Sequence, residues 1–227
     1  MIVDGFKEAL QLLVSLDSEI IQIIALSLGI SLLATVTAGF FATLFGILIS
    51  ITTFPFKNLV KKLIFTFMGI PPVVLGLFVL LLLIGPLSHL NLVFTKTAMY
   101  IAQTLLVFPI VAGNIIISSE KTQQNILETA TTLGASKSDK IWLIVKETKP
   151  FILLSLMLGF SRAISEVGAV MLVGGNIRGE TRVITTFIAL NTNMGNYASS
   201  IAMGIILLCL AFIIHSFIAS FKGGLYD

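Results

Sequence analysis

Charge is scarce in this chain, and long parts of it carry none. Asp, Glu, Lys and Arg make up 11% of the 227 residues, whereas soluble domains carry about 25%. From Leu63 to Thr95, and again from Val183 to Phe221, none of the four occurs. The chain is 56% hydrophobic with a mean hydropathy of +1.05. A bilayer is crossed by roughly 20 apolar residues, so both stretches are long enough, and no polar block is large enough to fold into a second domain. Cysteine is nearly absent too: Cys209 stands alone, which excludes an intrachain disulfide and predicts a small packing residue. The two histidines, His89 and His215, lie far apart in apolar surroundings, where surface or helix-end positions are expected and no metal or haem site. No phosphate-binding loop occurs, so the chain cannot hydrolyse ATP alone. No nucleophile–base pair lies in the apolar runs, which argues against a membrane enzyme. Neither internal repeats nor midplane charged sites of the secondary-transporter kind are evident.

The architecture expected is all-α and polytopic, with five spans at about Glu19–Ser50, Leu63–Leu83, Thr97–Ile117, Phe151–Val173 and Tyr197–Phe221. Residues 1–18 hold Asp4 and Glu8 against Lys7, not the basic start of a cleaved signal. An amphipathic helix at the membrane surface, or a disordered lead-in, is expected there. Residues 19–227 form a single transmembrane domain, with a polar loop at 118–150. Lys57, Lys61 and Lys62, the five lysines of the 118–150 loop and Lys222 share one side, nine positive charges against four at Lys7, Lys96, Arg178 and Arg182. The positive-inside rule then puts the N-terminus outside and the C-terminus in the cytoplasm. Pro71 and Pro72 break regular helix bonding and predict a bend, with or without gating.

Within the polar loop, Ile126, Ala130 and Leu133 share a helical face, and Gly134 ends the pattern. Ile141, Ile144 and Val145 make a second stripe. Two short helices joined at Gly134 are expected along the inner membrane surface. The segment Glu128-Thr129-Ala130-x-x-x-Gly134 resembles the EAA-x-x-x-G signature of binding-protein-dependent ABC importer permeases. Thr129 stands where the family has its first Ala, and Pro150 falls three residues late for the closing Leu-Pro. The resemblance implies that this loop docks on a cytoplasmic ATPase, with Glu128, Thr129, Ala130 and Gly134 as coupling residues. Physically, Glu128 near a helix start is expected to cap the turn, and Gly134 to let the chain reverse.

The fourth span contains Ser161-Arg162-Ala163-Ile164-Ser165-Glu166-Val167-Gly168-Ala169. Ionisable residues inside a membrane cost at least about 2.5 kcal/mol unless paired or wetted. At i and i+4, Arg162 and Glu166 are placed to neutralise each other. Ser161, Ser165 and Gly168 would keep the same face small and wettable, as a passage lining requires. Beyond it, Gly174-Gly175-Asn176-Ile177-Arg178-Gly179-Glu180-Thr181-Arg182 sets arginines in a flexible loop, suited to an anion or an acidic protein surface at Asn176, Arg178 and Arg182.

The run SRAISEVGAVMLVGGNIRGETRVITT is similar to the matching segment of the molybdate, sulfate and tungstate permeases, most of all to the tungstate branch. Met68-Gly69-Ile70-Pro71-Pro72-Val73-Val74 resembles the second span of that branch. The resemblance implies the type I ABC importer permease core in an inner membrane, working by alternating access. It further implies a second copy of the chain, two ATPases holding ATP and Mg, and an extracytoplasmic oxyanion-binding protein. No cofactor, metal or nucleic acid is expected on this chain itself. Pro71, Pro72, Ser161, Arg162, Ser165, Glu166 and Gly168 are the residues expected along the passage or its gate. Molybdate or sulfate as cargo remain the alternatives, and an ion-coupled secondary transporter a remoter one.

Overall fold

A computed structural model describes residue 7, residue 11 and residues 18–220, and within the last range the side chains outside 121–129, 131, 137, 138, 141, 218 and 219. The expectation for residues 1–18 therefore lies almost wholly outside the described residues, as do Lys222 and the tail. Every regular element among the described residues is helical.

Helix α1 spans Ser18–Ile51. At 1.5 Å per residue it is about 51 Å long, well beyond the ~30 Å hydrocarbon core. Helix α2 covers Lys57–Met68 and α3 Pro72–Ile84, with a bend of 105° between them. A 3-10 turn at Ser88–Leu90 carries the exposed His89. Helix α4 is Lys96–Thr132 and α5 Lys137–Ile164. The short α6, Gly168–Gly174, continues α5 at an angle of 57°. Helix α7, Ile184–Asn193, and α8, Tyr197–Ser220, complete the described residues. Among the described residues three helices are long and apolar enough to cross a membrane unbroken, and counting each bent pair as one span brings the number to five.

Helix α4 is the hub. Its span is 56% buried, against 22% for α8, and it packs on α1, α2, α3, α5 and α6. Small residues let the backbones approach, as membrane helices without a hydrophobic drive between them require. A Cβ at Gly46 would stand 2.9 Å from Ile115 of α4, and one at Gly159 of α5 2.8 Å from Val107. Ala38, Ala42, Ala112 and Ala163 fill the same core, all at most 1% exposed.

Three expectations are corrected here. The 118–150 loop does not hold two separate short helices: α4 runs on to Thr132 and α5 begins at Lys137, so both arms prolong the spans. Cys209 is exposed on α8 and packs no core within this chain. The segment between spans four and five, read as a connection, contains α7, which packs along α8. Its apolar run, Ile184–Asn193, is too short to cross a bilayer.

Candidate functional site

The two bent spans meet at their breaks. Gly69 closes α2, Pro71 takes the extended backbone that a residue before proline prefers, and Pro72 opens α3, where a missing N–H costs nothing. Helix α3 then lies against α6. A Cβ at Gly76 would stand 2.5 Å from the Cα of Ala169, and one at Gly168 2.5 Å from Cγ2 of Val73. Gly168 thus lies beside Val73, next to Pro71 and Pro72 in sequence, and the bend expected at the prolines is present.

Arg162 and Glu166 are not paired. Helix α5 ends at Ile164, so the i,i+4 register between them is lost, and neither forms an ion pair among the described residues. Each instead serves its own helix end. Arg162 lies in the last turn of α5, where the helix dipole favours a cation. Glu166 is 4% exposed, and its Oε1 accepts from the backbone N–H of Ala169 at 3.0 Å, satisfying a donor in the first turn of α6. The backbone oxygen of Glu166 accepts from the Thr185 hydroxyl of α7 at 2.7 Å. The Ser161 and Ser165 hydroxyls donate back to Met157 O and Ser161 O at 2.8 and 2.7 Å, the usual retreat of serine inside a helix. Ser161 also lies 2.6 Å from Nε2 of His215, which puts that half-buried histidine in the α5–α8 contact.

Sequence reading missed two residues at this break. Gln103 of α4 is 3% exposed and donates through Nε2 to the carbonyl of Ala163 at 3.1 Å. Thr185 belongs to the unrecognised α7. A signal for Gln103 did exist: an amide in the middle of an apolar run.

At one end of the bundle the loop after α6 is closely built. Asn176 takes a left-handed φ of 51°, and the Thr181 hydroxyl accepts from the N–H of Ile177 at 2.9 Å and donates to Gly174 O. Arg178 and Arg182 both reach Glu19 in the first turn of α1. Arg178 Nε is 2.9 Å from Oε1, its second nitrogen engages Oε2, and Arg182 stands 3.4 Å from Oε1. Glu19, 159 residues before Arg178 and 163 before Arg182, thus engages both guanidiniums.

At the other end Lys61 pairs with Glu120 at 2.6 Å, and Lys57 caps α1 through Ser50 O and Thr52 O at 3.1 and 3.0 Å. The turn between α4 and α5 follows its residues. Gly134 takes a φ of 73°, and Ala135 N–H bonds Ala130 O at 2.9 Å, six residues spanning the helix C-terminus. Ala130 itself is buried. Ser136 then starts α5 in a reciprocal cap with Asp139, N–H to Oδ2 at 3.2 Å and Oγ from Asp139 N–H at 3.3 Å. The Ser136 hydroxyl, then its backbone N–H, hold the Asp139 carboxyl below its ordinary value. Residue 128 lies in α4 near its end, not at a helix start, and the cap it was expected to supply comes from Asp139. The side chains of Glu128 and Thr129 lie outside the described residues.

Residues 42–223 match the family described as binding-protein-dependent transport system inner membrane component. The chain is 44% identical over 223 residues, 97% of its length and 98% of the relative's, to the tungstate uptake system permease protein TupB of Peptoclostridium acidaminophilum. The protein of the same name from Campylobacter jejuni is 32% identical over 93% of this chain and 89% of its own. The molybdenum transport system permease protein ModB of Escherichia coli K12 is 29% identical over 72% of this chain and 76% of its own. With apolar helices long enough to span a bilayer and a match over most of its length, the chain belongs to the family of binding-protein-dependent transport system inner membrane components.

Proposed function

We propose that this chain is the membrane-spanning permease subunit of an ABC importer for tungstate. The observation that carries the reading is the 44% identity to a tungstate permease along 97% of the chain. Such a subunit is not an enzyme: ATP is hydrolysed on a separate ATPase, and a separate binding protein delivers the cargo. Two copies of the chain and two ATPases make up the complex, with the N-terminus outside and the 133–136 turn in the cytoplasm.

The geometry supports a division of labour. The capped turn at Gly134 and Ser136 joins two helices that run on into the bundle as α4 and α5. A push from the ATPase on that turn is therefore delivered along rigid helices to the break at residues 165–167. There α3 and α6 slide or part, since their contact includes Gly76, Ala169, Gly168 and Val73 and neither helix holds an ionisable residue. Large apolar side chains on the outer face of α1, among them Val36, Phe40 and Leu44, and on α3, among them Val74 and Phe78, stay exposed in the single chain. A second copy and lipid would cover them, and the passage would run between the copies. Asn176, Arg178 and Arg182 stand at the outer rim. Glu19 holds both guanidiniums in place while offsetting only one of their two positive charges, so they serve a docking surface for the binding protein.

Tungstate, molybdate and sulfate are all tetrahedral dianions, and the choice among them belongs to the binding protein. The test is reconstitution of the permease with its ATPase and binding protein in proteoliposomes. Tungstate uptake that needs both ATP and the binding protein is expected. Uptake without the ATPase, driven by a proton gradient, would sink the importer reading. Calorimetry in which the binding protein prefers sulfate would overturn the choice of tungstate.

A further inference from the structure

Gln103 is buried in the middle of α4 among Met99, Ala102, Leu106 and Val107, all at most 2% exposed. Its Nε2 donates to Ala163 O at 3.1 Å, while its Oε1 is buried and has no partner among the described residues. The amide orientation follows from the partner, because a carbonyl accepts only and the reversed amide would set oxygen against oxygen. Asn114, the other amide of this helix's apolar part, bonds Ile110 O of its own helix at 2.9 Å and ties nothing to a neighbour. Gln103 therefore does something that the helix itself does not require.

The carbonyl it reaches is the telling one. In a continuous helix Ala163 O would accept from the N–H of residue 167. Here Val167 is the N-cap of α6, and Ala163 O accepts instead from Glu166 N–H at a long 3.3 Å and from Gln103. Freed carbonyls at a break in a membrane helix persist only where another group satisfies them. The break has two further ties, Glu166 to Ala169 within α6 and Thr185 to Glu166 from α7. Of these side chains, only Gln103 comes from the central helix that continues to the ATPase end.

We propose that Gln103 is a positioning residue for transport: its side-chain amide substitutes for the backbone donor that a continuous helix would supply to Ala163, and so holds the α5–α6 span in its broken form. Straightening the span releases the amide, and breaking it engages the amide. The orphaned Oε1 marks a residue kept for this switch at a cost to the resting state, since a buried carbonyl without a partner is unfavourable. The role rests on the reading of the break as part of the transport gate.

The test uses Gln103→Met in the full complex, of nearly the same shape and without polar atoms. The variant loses one hydrogen bond and also one orphaned acceptor, so thermal stability stays at the wild-type level or rises. The balance between broken and continuous forms shifts by about three- to tenfold, the worth of one such bond. Hydrogen exchange of the amides at residues 166–168 slows accordingly. The maximal rate of tungstate uptake falls by a similar factor, while the concentration of loaded binding protein giving half that rate is unchanged. Adding Ser165→Gly, which weakens the continuous helix, restores fast exchange.

Exchange and uptake equal to wild type in Gln103→Met would overturn the assignment. So would lost stability and lost uptake together with no recovery by Ser165→Gly, the mark of a residue that merely packs. Exchange needs no cargo, so a wild-type complex that fails to take up tungstate sinks the function reading and leaves the exchange comparison to decide on Gln103.

Discussion

Replacing Gly76 with alanine tests the contact between the two breaks directly. The added Cβ would stand 2.5 Å from Ala169 Cα, 3.0 Å from Ala169 Cβ and 3.2 Å from Ala169 O. Carbon atoms rest at about 3.5–4.0 Å, so α3 and α6 must part by roughly 1 to 1.5 Å. The nearest atom is backbone, and no rotamer change relieves the clash. Overpacking of this kind costs about 1–3 kcal/mol, and the rigid neighbour puts Gly76 in the upper half of that range. At about 1.4 kcal/mol per factor of ten, the docked arrangement becomes roughly 30- to 150-fold less favourable. Tungstate uptake by reconstituted Gly76→Ala complex is expected to fall by at least about tenfold, with a lowered thermal midpoint in detergent. Gly204 of α8 is the matched control, because nothing lies within 4 Å of its added Cβ. Gly204→Ala should be neutral or stabilising by up to about 1 kcal/mol, the helix-propensity difference. Gly76→Ala with wild-type midpoint and uptake would refute the close approach of α3 to α6.

The turn and the outer rim yield further expectations. Gly134→Val forces a β-branched residue to a φ of 73° at a cost of about 1–2 kcal/mol; co-purification of the ATPase and ATP-dependent uptake should both weaken, and unchanged co-purification would exclude the turn as the docking element. The Asp139 carboxyl is held below its ordinary value of 3.8 by Ser136, so its contribution to the cap is full above that value and is lost as pH falls through the lowered one. Asp139→Asn should fray the start of α5 at neutral pH, seen as faster amide exchange at residues 137–140, and should abolish the further fraying of wild type in acid. Glu19→Gln removes the shared partner of Arg178 and Arg182, and the loss should be about 1 kcal/mol, since Arg178 is 74% exposed and its share is screened. Wild type should then lose thermal stability on adding salt more than the variant does, and an equal salt response would argue against the ion pair.

Residence in the membrane, the bend at Pro71-Pro72 and the reversal at Gly134 were legible in the sequence, because each depends on a residue's own chemistry or that of its immediate neighbours. A charge-free run must leave water, a proline lacks an N–H, and glycine alone tolerates a left-handed backbone cheaply. The Ser136–Asp139 cap is equally local, a serine followed three residues later by an acid. Spacing misled at Arg162 and Glu166. An i,i+4 pair presumes a continuous helix, and the helix stops between them because Gln103, Thr185 and the packing of Gly168 on Val73 make the broken form preferable. The same holds for Glu19 with Arg178 and Arg182, and for Gly76 against Ala169. Those partners lie far apart along the chain, and nothing in the local pattern selects one distant residue over another. The sequence determined which segments cross the membrane and where the backbone yields, through forces that act within a few residues. Only the tertiary structure decided that the two yielding points face each other, since that depends on which helices α4 gathers around itself.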